Sequence, residues 1–289
     1  MTYRDDFPPP EDYIIRIDAR PATKADADAF IAQLLNADWN APDSPIRLAD
    51  DLLLDDVKHV LFFDQARQFL RLMDENKGAP LTATGNLNRV YVTLMLERMD
   101  WLRRYAKPLL EGGLCKVVNE GDVMPLGVLH GVCEYGKLIH KRRNRVFLTN
   151  KARDLLADAQ AGSLYRQLFL TLFREMSLDF LSGFQPTPFV QHSIAVILWR
   201  LQLVARDWIA LNQLPKEVFL NAVSEQVRAA SIWPEVEPDV LRGEVLRPLL
   251  WFGLLECGHT EDEWHRRDVV LKFRKTPLFD RFLTFIWTP

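Results

Sequence analysis

Cysteine is scarce in this chain: Cys115, Cys133 and Cys257 stand far apart among 289 residues. An odd, dispersed set is no disulfide framework and suits a reducing compartment. Glycine is thin as well, at 13 residues, which argues against glycine-rich cofactor folds and loop-rich β architectures. No Gly-x-x-x-x-Gly-Lys-Ser/Thr loop, Gly-x-Gly-x-x-Gly turn, His-Glu-x-x-His pair or Gly-x-Ser-x-Gly elbow occurs. The common routes to phosphate cradling, metalloprotease and serine-hydrolase chemistry are therefore missing. A long apolar run is lacking too. The most apolar stretch, residues 189–208, holds Gln191, His192, Arg200, Gln202 and Arg206, and it reads as a buried helix rather than a membrane span. The start, Met1-Thr2-Tyr3-Arg4-Asp5-Asp6, is acidic and runs into prolines, unlike a signal peptide. These absences predict a soluble cytoplasmic protein with no membrane partner and no cofactor.

What is present is core material. Apolar residues make up 48% of the chain and charged residues 26%, with 17 Phe and 8 Trp, so the chain is expected to fold. Its length is long for one domain and comfortable for two. The net charge of −3 is unevenly spread: residues 1–78 carry a net −7, while residues 136–153 carry seven cations and no acid.

Helical periodicity dominates. Thr23 with Asp26 three residues on predicts an N-cap and a helix to about Asp38; before it, residues 13–18 suit a short strand. Val57, Val60, Leu61, Phe69 and Leu72 share a face, predicting a helix over 57–75 that breaks at Lys77-Gly78-Ala79-Pro80. Leu87, Val90, Tyr91, Leu94 and Met95 begin another. Further helices are expected near 122–135, 151–158, 163–182, 188–210, 215–230 and 239–257, with prolines at their boundaries. Strand signals are few, at 145–148 and 269–273.

The most informative stretch runs from 122 to 158. Asp122 is placed to cap a helix whose Leu126, Leu129 and Cys133 form an apolar stripe, and Gly136 ends it. Lys137-Leu138-Ile139 and Arg145-Val146-Phe147-Leu148 then suit a hairpin with the basic run at its tip. Thr149 caps the next helix. Helix, hairpin and helix in that order is the core of a winged helix. A related pattern closes the chain, where Thr276-Pro277 opens a last helix. Leu81 to Leu87 is a weaker relative that follows its helix too closely for a hairpin, and it reads as helix–turn–helix at most.

The phrases Leu81-Thr82-Ala83-Thr84-Gly85-Asn86-Leu87 and Leu148-Thr149-Asn150-Lys151-Ala152-Arg153-Asp154-Leu155-Leu156 carry a resemblance. They resemble the Leu-Thr phrases, each following a helix, of uncharacterised bacterial proteins related to the plasmid-borne ORF-3-like family of mobile elements. Residue 152 is Ala where that phrase usually has Gly. The resemblance covers residues 50–160 well and the C-terminal unit loosely, and it implies fold without chemistry.

The tip cations Lys141, Arg142, Arg143 and Arg145, with Lys151 and Arg153 behind them, are the candidate nucleic-acid contacts, through phosphates rather than bases. The preceding helix is expected to expose Gly127, His130, Gly131 and Glu134, and it offers no Arg, Lys, Asn or Gln for bidentate base contacts. A solvated or protein-docking tip is the competing reading. In the closing unit, Glu261, Asp262 and Glu263 beside His265, Arg266 and Arg267 make a charge-mixed tip suited to a protein. Cys257, His259 and His265 form a Cys-x-His-x5-His cluster. A packed thiol with two loop histidines is preferred there to zinc, so no metal is expected. His130 and Cys133 lie one turn apart, but Cys133 belongs to the apolar stripe and reads as packed, not nucleophilic.

The sequence thus predicts a mainly α fold with tandem winged-helix-like units and small β-hairpins. The expected parts are an acidic arm and helix (1–45), a first winged-helix-like region of two units (46–160), a helical segment (161–235) and a C-terminal unit (236–289). The predicted function is non-enzymatic binding, of a protein partner or weakly of nucleic acid through residues 137–148. The alternative is an enzyme, or an enzyme accessory, whose site is assembled from dispersed residues.

Overall fold

Thr23 and Asp26 cap each other reciprocally: Asp26 N donates to Thr23 Oγ1 at 3.1 Å and Thr23 N to Asp26 Oδ2 at 3.0 Å. That box opens α1 (Lys24–Leu35). The structure, a computed structural model, describes residues 23–112, 116–183, 187–233, 235–259, 263 and 269–287. The strand expected at 13–18 lies outside the described residues. Of the described residues 59% are helix and 11% strand, the strands in small antiparallel sheets, so the chain is mainly helical.

After β1 (Ile46–Leu48) and the short α2 (Leu54–Val57) comes α3 (Leu61–Glu75). Phe62, Phe63, Ala66, Phe69, Leu70 and Met73 recur at helical spacing and are fully buried. The helix begins four residues later than the apolar spacing predicts, because residues 58–60 turn between α2 and α3. Gly78 then sits at φ +94°, where an added Cβ would lie 2.6 Å from Val146 O, so only glycine fits. It leads into β2 (Ala79–Pro80), α4 (Arg89–Arg98) and α5 (Asp100–Glu111). The pattern missed α5, whose stripe of Trp101, Leu102 and Ala106 is interrupted by Arg103, Arg104 and Lys107 and ends at Pro108.

A 3-10 turn, Glu120–Asp122, precedes α6 (Met124–Tyr135). Asp122 does not cap α6 as expected. Its Oδ2 accepts from Asn119 N at 2.8 Å, so it closes the preceding turn. Gly136 does end the helix. Next come β3 (Ile139–Arg142), β4 (Arg145–Leu148) and α7 (Asn150–Leu155), which Thr149 caps through Ala152 N at 3.2 Å.

The sheet order is β2-β4-β3. Residues 81–87, read in sequence as a separate helix–turn–helix, therefore belong to the same structure as the hairpin. Leu81 bridges to Leu87, and Leu81 N donates to Asn144 O at 2.8 Å.

A middle segment follows. It holds α8 (Ala161–Leu170), running on through a π-turn over Thr171–Glu175, then α9 (Asp179–Ser182) and α10 (Pro188–His192). The topology of the first part then returns: α11 (Ile194–Val204), β5 (Ile209–Ala210), α12 (Leu214–Val218) and α13 (Asn221–Ala229). Helix α14 (Glu237–Leu241) passes through a π-turn over Arg242–Leu246 into α15 (Arg247–Trp251). Strands β6 (Leu255–Cys257) and β7 (Lys272–Lys275) precede α16 (Pro277–Phe282) and β8 (Leu283–Phe285). The second sheet order, β5-β7-β6, repeats the first. Strand β7 is shifted two or three residues beyond the predicted 269–273, the register being set by buried Phe273 opposite Cys257.

The junctions match in detail. Leu138 N donates to Cys133 O at 2.8 Å, and Leu254 N to Leu249 O at 2.9 Å. Thr149 Oγ1 donates to Lys137 O at 3.0 Å, and Thr276 Oγ1 to Gly253 O at 2.6 Å. Lys137 and Gly253 hold the same left-handed backbone, φ 55° and 65°.

One core unites the copies. Phe252, after α15, stacks on Phe62 of α3 at 4.9 Å and meets Tyr165 and Phe169 of α8 edge-on at 5.4 and 5.3 Å. The Tyr165 hydroxyl donates to Phe252 O at 2.6 Å. Strand β1 pairs with β8, Ile46 opposite Phe285.

Candidate functional site

The hairpin reverses at Arg143-Asn144, with φ of 49° and 55°. Two consecutive left-handed residues make a type I′ turn, which suits Asn but strains Arg. Replacing Arg143-Asn144 by Asn-Gly is expected to stabilise the fold by about 0.5–1 kcal/mol, read as a higher urea midpoint.

The candidate cations do not act as one block. Lys141 Nζ pairs with Glu134 Oε1 at 2.7 Å, and Arg153 Nε with Asp74 Oδ1 at 3.0 Å. Lys151 Nζ donates to Gln167 Oε1 at 2.8 Å. Arg145 is half-buried; its Nη2 donates to Gly78 O at 2.8 Å and Lys77 O at 3.3 Å, tying β4 to the turn before β2. Among the described residues, the side chains of Arg142 and Arg143 have no hydrogen-bond or ion-pair partner, and both residues are exposed.

Helix α6 is buried along most of its length: Tyr135 is exposed, and Met124, Gly127, Gly131 and Glu134 are half-buried. His130, expected on the surface, is instead 5% exposed. Its Nδ1 lies 2.5 Å from Glu120 Oε1, while Glu120 Oε2 accepts from Leu87 N. His130 Nε2 faces Glu134 Oε2 at 4.0 Å. Hydrogen bonds thus link the 81–87 loop through Glu120 to His130. The His130 Nε2 has no hydrogen-bond partner and stands between that pair and the Glu134–Lys141 ion pair. Pairing to Glu120 makes the burial of this histidine tolerable. Cys133, one turn on, is fully buried and burial pushes its thiol up, which fits the packed reading.

In the closing unit Cys257 is half-buried in β6, and His259 Nδ1 lies 3.7 Å from Glu263 Oε2. His265, with Glu261, Asp262, Arg266 and Arg267, lies outside the described residues. Among the described residues no three His, Cys, Asp or Glu side chains are grouped to hold a metal ion. Sequence reading missed Glu244, a fully buried carboxyl on the second π-turn. Its Oε1 accepts from Thr187 Oγ1 at 2.5 Å and Ser182 Oγ at 2.9 Å, while Oε2 has no partner. Burial, only partly offset by those hydroxyls, pushes it up to about 7.

Also missed was a cavity of about 570 Å³ beside α4, lined by Pro80, Asn88, Val90, Tyr91, Glu97 and Arg145 among others. Tyr91 is 5% exposed and its hydroxyl has no partner. Burial and then the charge of Glu75 push that phenol up, and Arg145 pulls it back. The sequence pattern gives Tyr91 only as part of a helix beginning near Leu87, and the structure buries it. A hydroxyl at a core position was the available signal that it needs a partner.

Residues 58–161 match the Y4jL N-terminal domain family. The match spans α3 to α7, the first of the two topological copies, and stops at the first residue of α8. The uncharacterized protein y4jL of Sinorhizobium fredii is 32% identical over 84 residues, which is 29% of this chain and 37% of that protein. The chain thus spans little more than a third of the length of the curated relative it matches. No solved structure gives a significant match. The Y4jL-like segment contains the basic hairpin, the Glu120–His130 pair and the cavity beside α4. The second copy, with Glu244, lies outside it.

Proposed function

We propose that this chain is a non-enzymatic binding protein built from two winged-helix-like units fused through a helical segment, and that its exposed faces take a protein partner. The repeated order of helix, strand, helices and hairpin, with matching junction hydrogen bonds, supports the tandem reading. Kinship with the plasmid ORF-3-like proteins and work in the cytoplasm belong to the same proposal; among the described residues Cys133 and Cys257 form no disulfide.

The carrying observation is the burial of α6. A winged helix that reads bases lays the helix before its hairpin in the major groove, and here that helix is packed away. Apolar side chains stand out elsewhere, with adjacent Ile232 and Trp233 exposed by 90% and 66%, as a protein contact favours. Arg142 and Arg143 favour a second, lesser reading, weak contact with nucleic-acid phosphates.

Fluorescence anisotropy with labelled DNA and RNA duplexes across a salt series separates the two. Each neutralised phosphate contributes about −0.9 to the slope of log K against log salt. Two free arginines therefore predict a slope no steeper than about −2, abolished by Arg142→Ala with Arg143→Ala. A slope near −4 or steeper, with binding persisting at physiological salt, would make nucleic acid the partner and overturn this reading.

A further inference from the structure

The cavity beside α4 has a direction. Asn88, the N-cap of α4, donates its backbone N–H to Pro80 O at 2.9 Å, and Pro80 pairs in register with Arg145. Arg145 therefore lies level with the start of α4. Glu97 sits nine residues along the same helix from Asn88, roughly 13 Å at 1.5 Å per residue. Between them Val90 and Leu94 fall at i and i+4, and Val90 is 77% exposed.

The Arg145 end is rich in donors without acceptors. Arg145 uses Nη2 on two carbonyls and lies over the Phe147 ring, its Cζ 5.9 Å from the centroid, and among the described residues its other side-chain nitrogens have no hydrogen-bond partner. The Asn88 side chain spends its oxygen on Tyr91 N at 2.9 Å, leaving its amide N–H groups free. The buried Tyr91 hydroxyl has no partner. Since Glu75 and Arg145 oppose each other at that hydroxyl, recognition there rests on these donors more than on net charge. At the other end Glu97, an exposed carboxylate, has no ion-pair partner among the described residues.

We propose that this cavity binds a short peptide, its C-terminal carboxylate held by Arg145, Asn88 and Tyr91 and its ammonium group by Glu97, with apolar side chains against Val90 and Leu94. An extended chain advances about 3.3–3.6 Å per residue, so three residues bridge most of the distance. The volume lies within the usual range for small-ligand sites, about 300–1,000 Å³.

Isothermal titration of the full chain with the tripeptide Gly-Val-Leu, its C-terminal amide and its N-acetyl form tests the proposal. The free tripeptide should bind with a Kd of about 1 mM or tighter. Amidation should weaken binding about tenfold or more, since it leaves the donors unmatched. Glu97→Gln should weaken the free tripeptide and leave the N-acetyl form unchanged. Val90→Trp, an exposed substitution that fills the groove, should abolish binding of all three. No binding at about 10 mM, equal affinity for the amide, or binding indifferent to Val90→Trp would each overturn it.

Discussion

Stability should fall as pH rises from 5 to 8 in the wild type and fall much less in Glu244→Gln. Glu244 has its folded pKa raised to about 7 from an ordinary 4.5. The folded state therefore holds this proton more tightly than the unfolded one. The protonated carboxyl's contribution is fully present below pH 4.5 and lost as pH climbs to 7. At 1.36 kcal/mol per pKa unit the swing is about 3 kcal/mol. Gln keeps an oxygen for the Ser182 and Thr187 hydroxyls and carries no ionisable proton. Urea unfolding at pH 5, 6, 7 and 8 reads the difference, because other titrating groups contribute equally to both proteins. The variant is expected to be the more stable of the two at pH 8. Parallel curves for the two proteins would mean that Glu244 is ionised at no unusual cost.

The second large effect concerns Phe252. Truncation to Ala removes a fully buried ring that touches Phe62, Tyr165, Phe169 and Phe173. A cavity left among aromatic neighbours costs about 3–5 kcal/mol. Because Phe62 belongs to the first copy and Phe252 to the second, the loss should appear across the whole protein. Tryptophan fluorescence and far-UV circular dichroism should still give one coincident transition, moved to lower urea. A fluorescence transition that separates from the far-UV signal would show the copies to be independently stable.

Much of the helical skeleton was legible before the structure. The Leu126, Leu129 and Cys133 stripe with Gly136 behind it, the Thr23–Asp26 box, and Thr149 and Thr276-Pro277 as helix starts are all local signals. They survive because a helix makes its hydrogen bonds within itself. Strands of two or three residues carry no such signature. Ala79–Pro80 and Ile209–Ala210 are strands because distant partners, Val146 and Phe273, lie opposite them.

Burial of polar groups was equally hidden. His130 looked like a surface residue because its partner Glu120 lies ten positions away, beyond the α6 helix. Glu244 sits in an apolar stretch that reads as ordinary amphipathic helix, and the donors that tolerate it, Ser182 and Thr187, come from about sixty residues upstream. The basic run at 141–145 was visible as composition. Its division into paired Lys141, structural Arg145 and free Arg142 and Arg143 depended on which carboxylates and carbonyls the fold placed nearby.

The pairing of β1 with β8 sets a schedule for the growing chain. Ile46, Arg47 and Leu48 face Phe285, Thr284 and Leu283, so the first strand has no partner until nearly all the described residues have been made. At synthesis rates of about 5–20 residues per second, that wait is on the order of 10–50 s. Through it Ile46 and Leu48, both buried in the finished fold, stay open to solvent or to a chaperone, although the Y4jL-like segment has already left the ribosome. Closure of this pairing is thus a late event, and β1 and β8 meet only after both copies between them have had time to form.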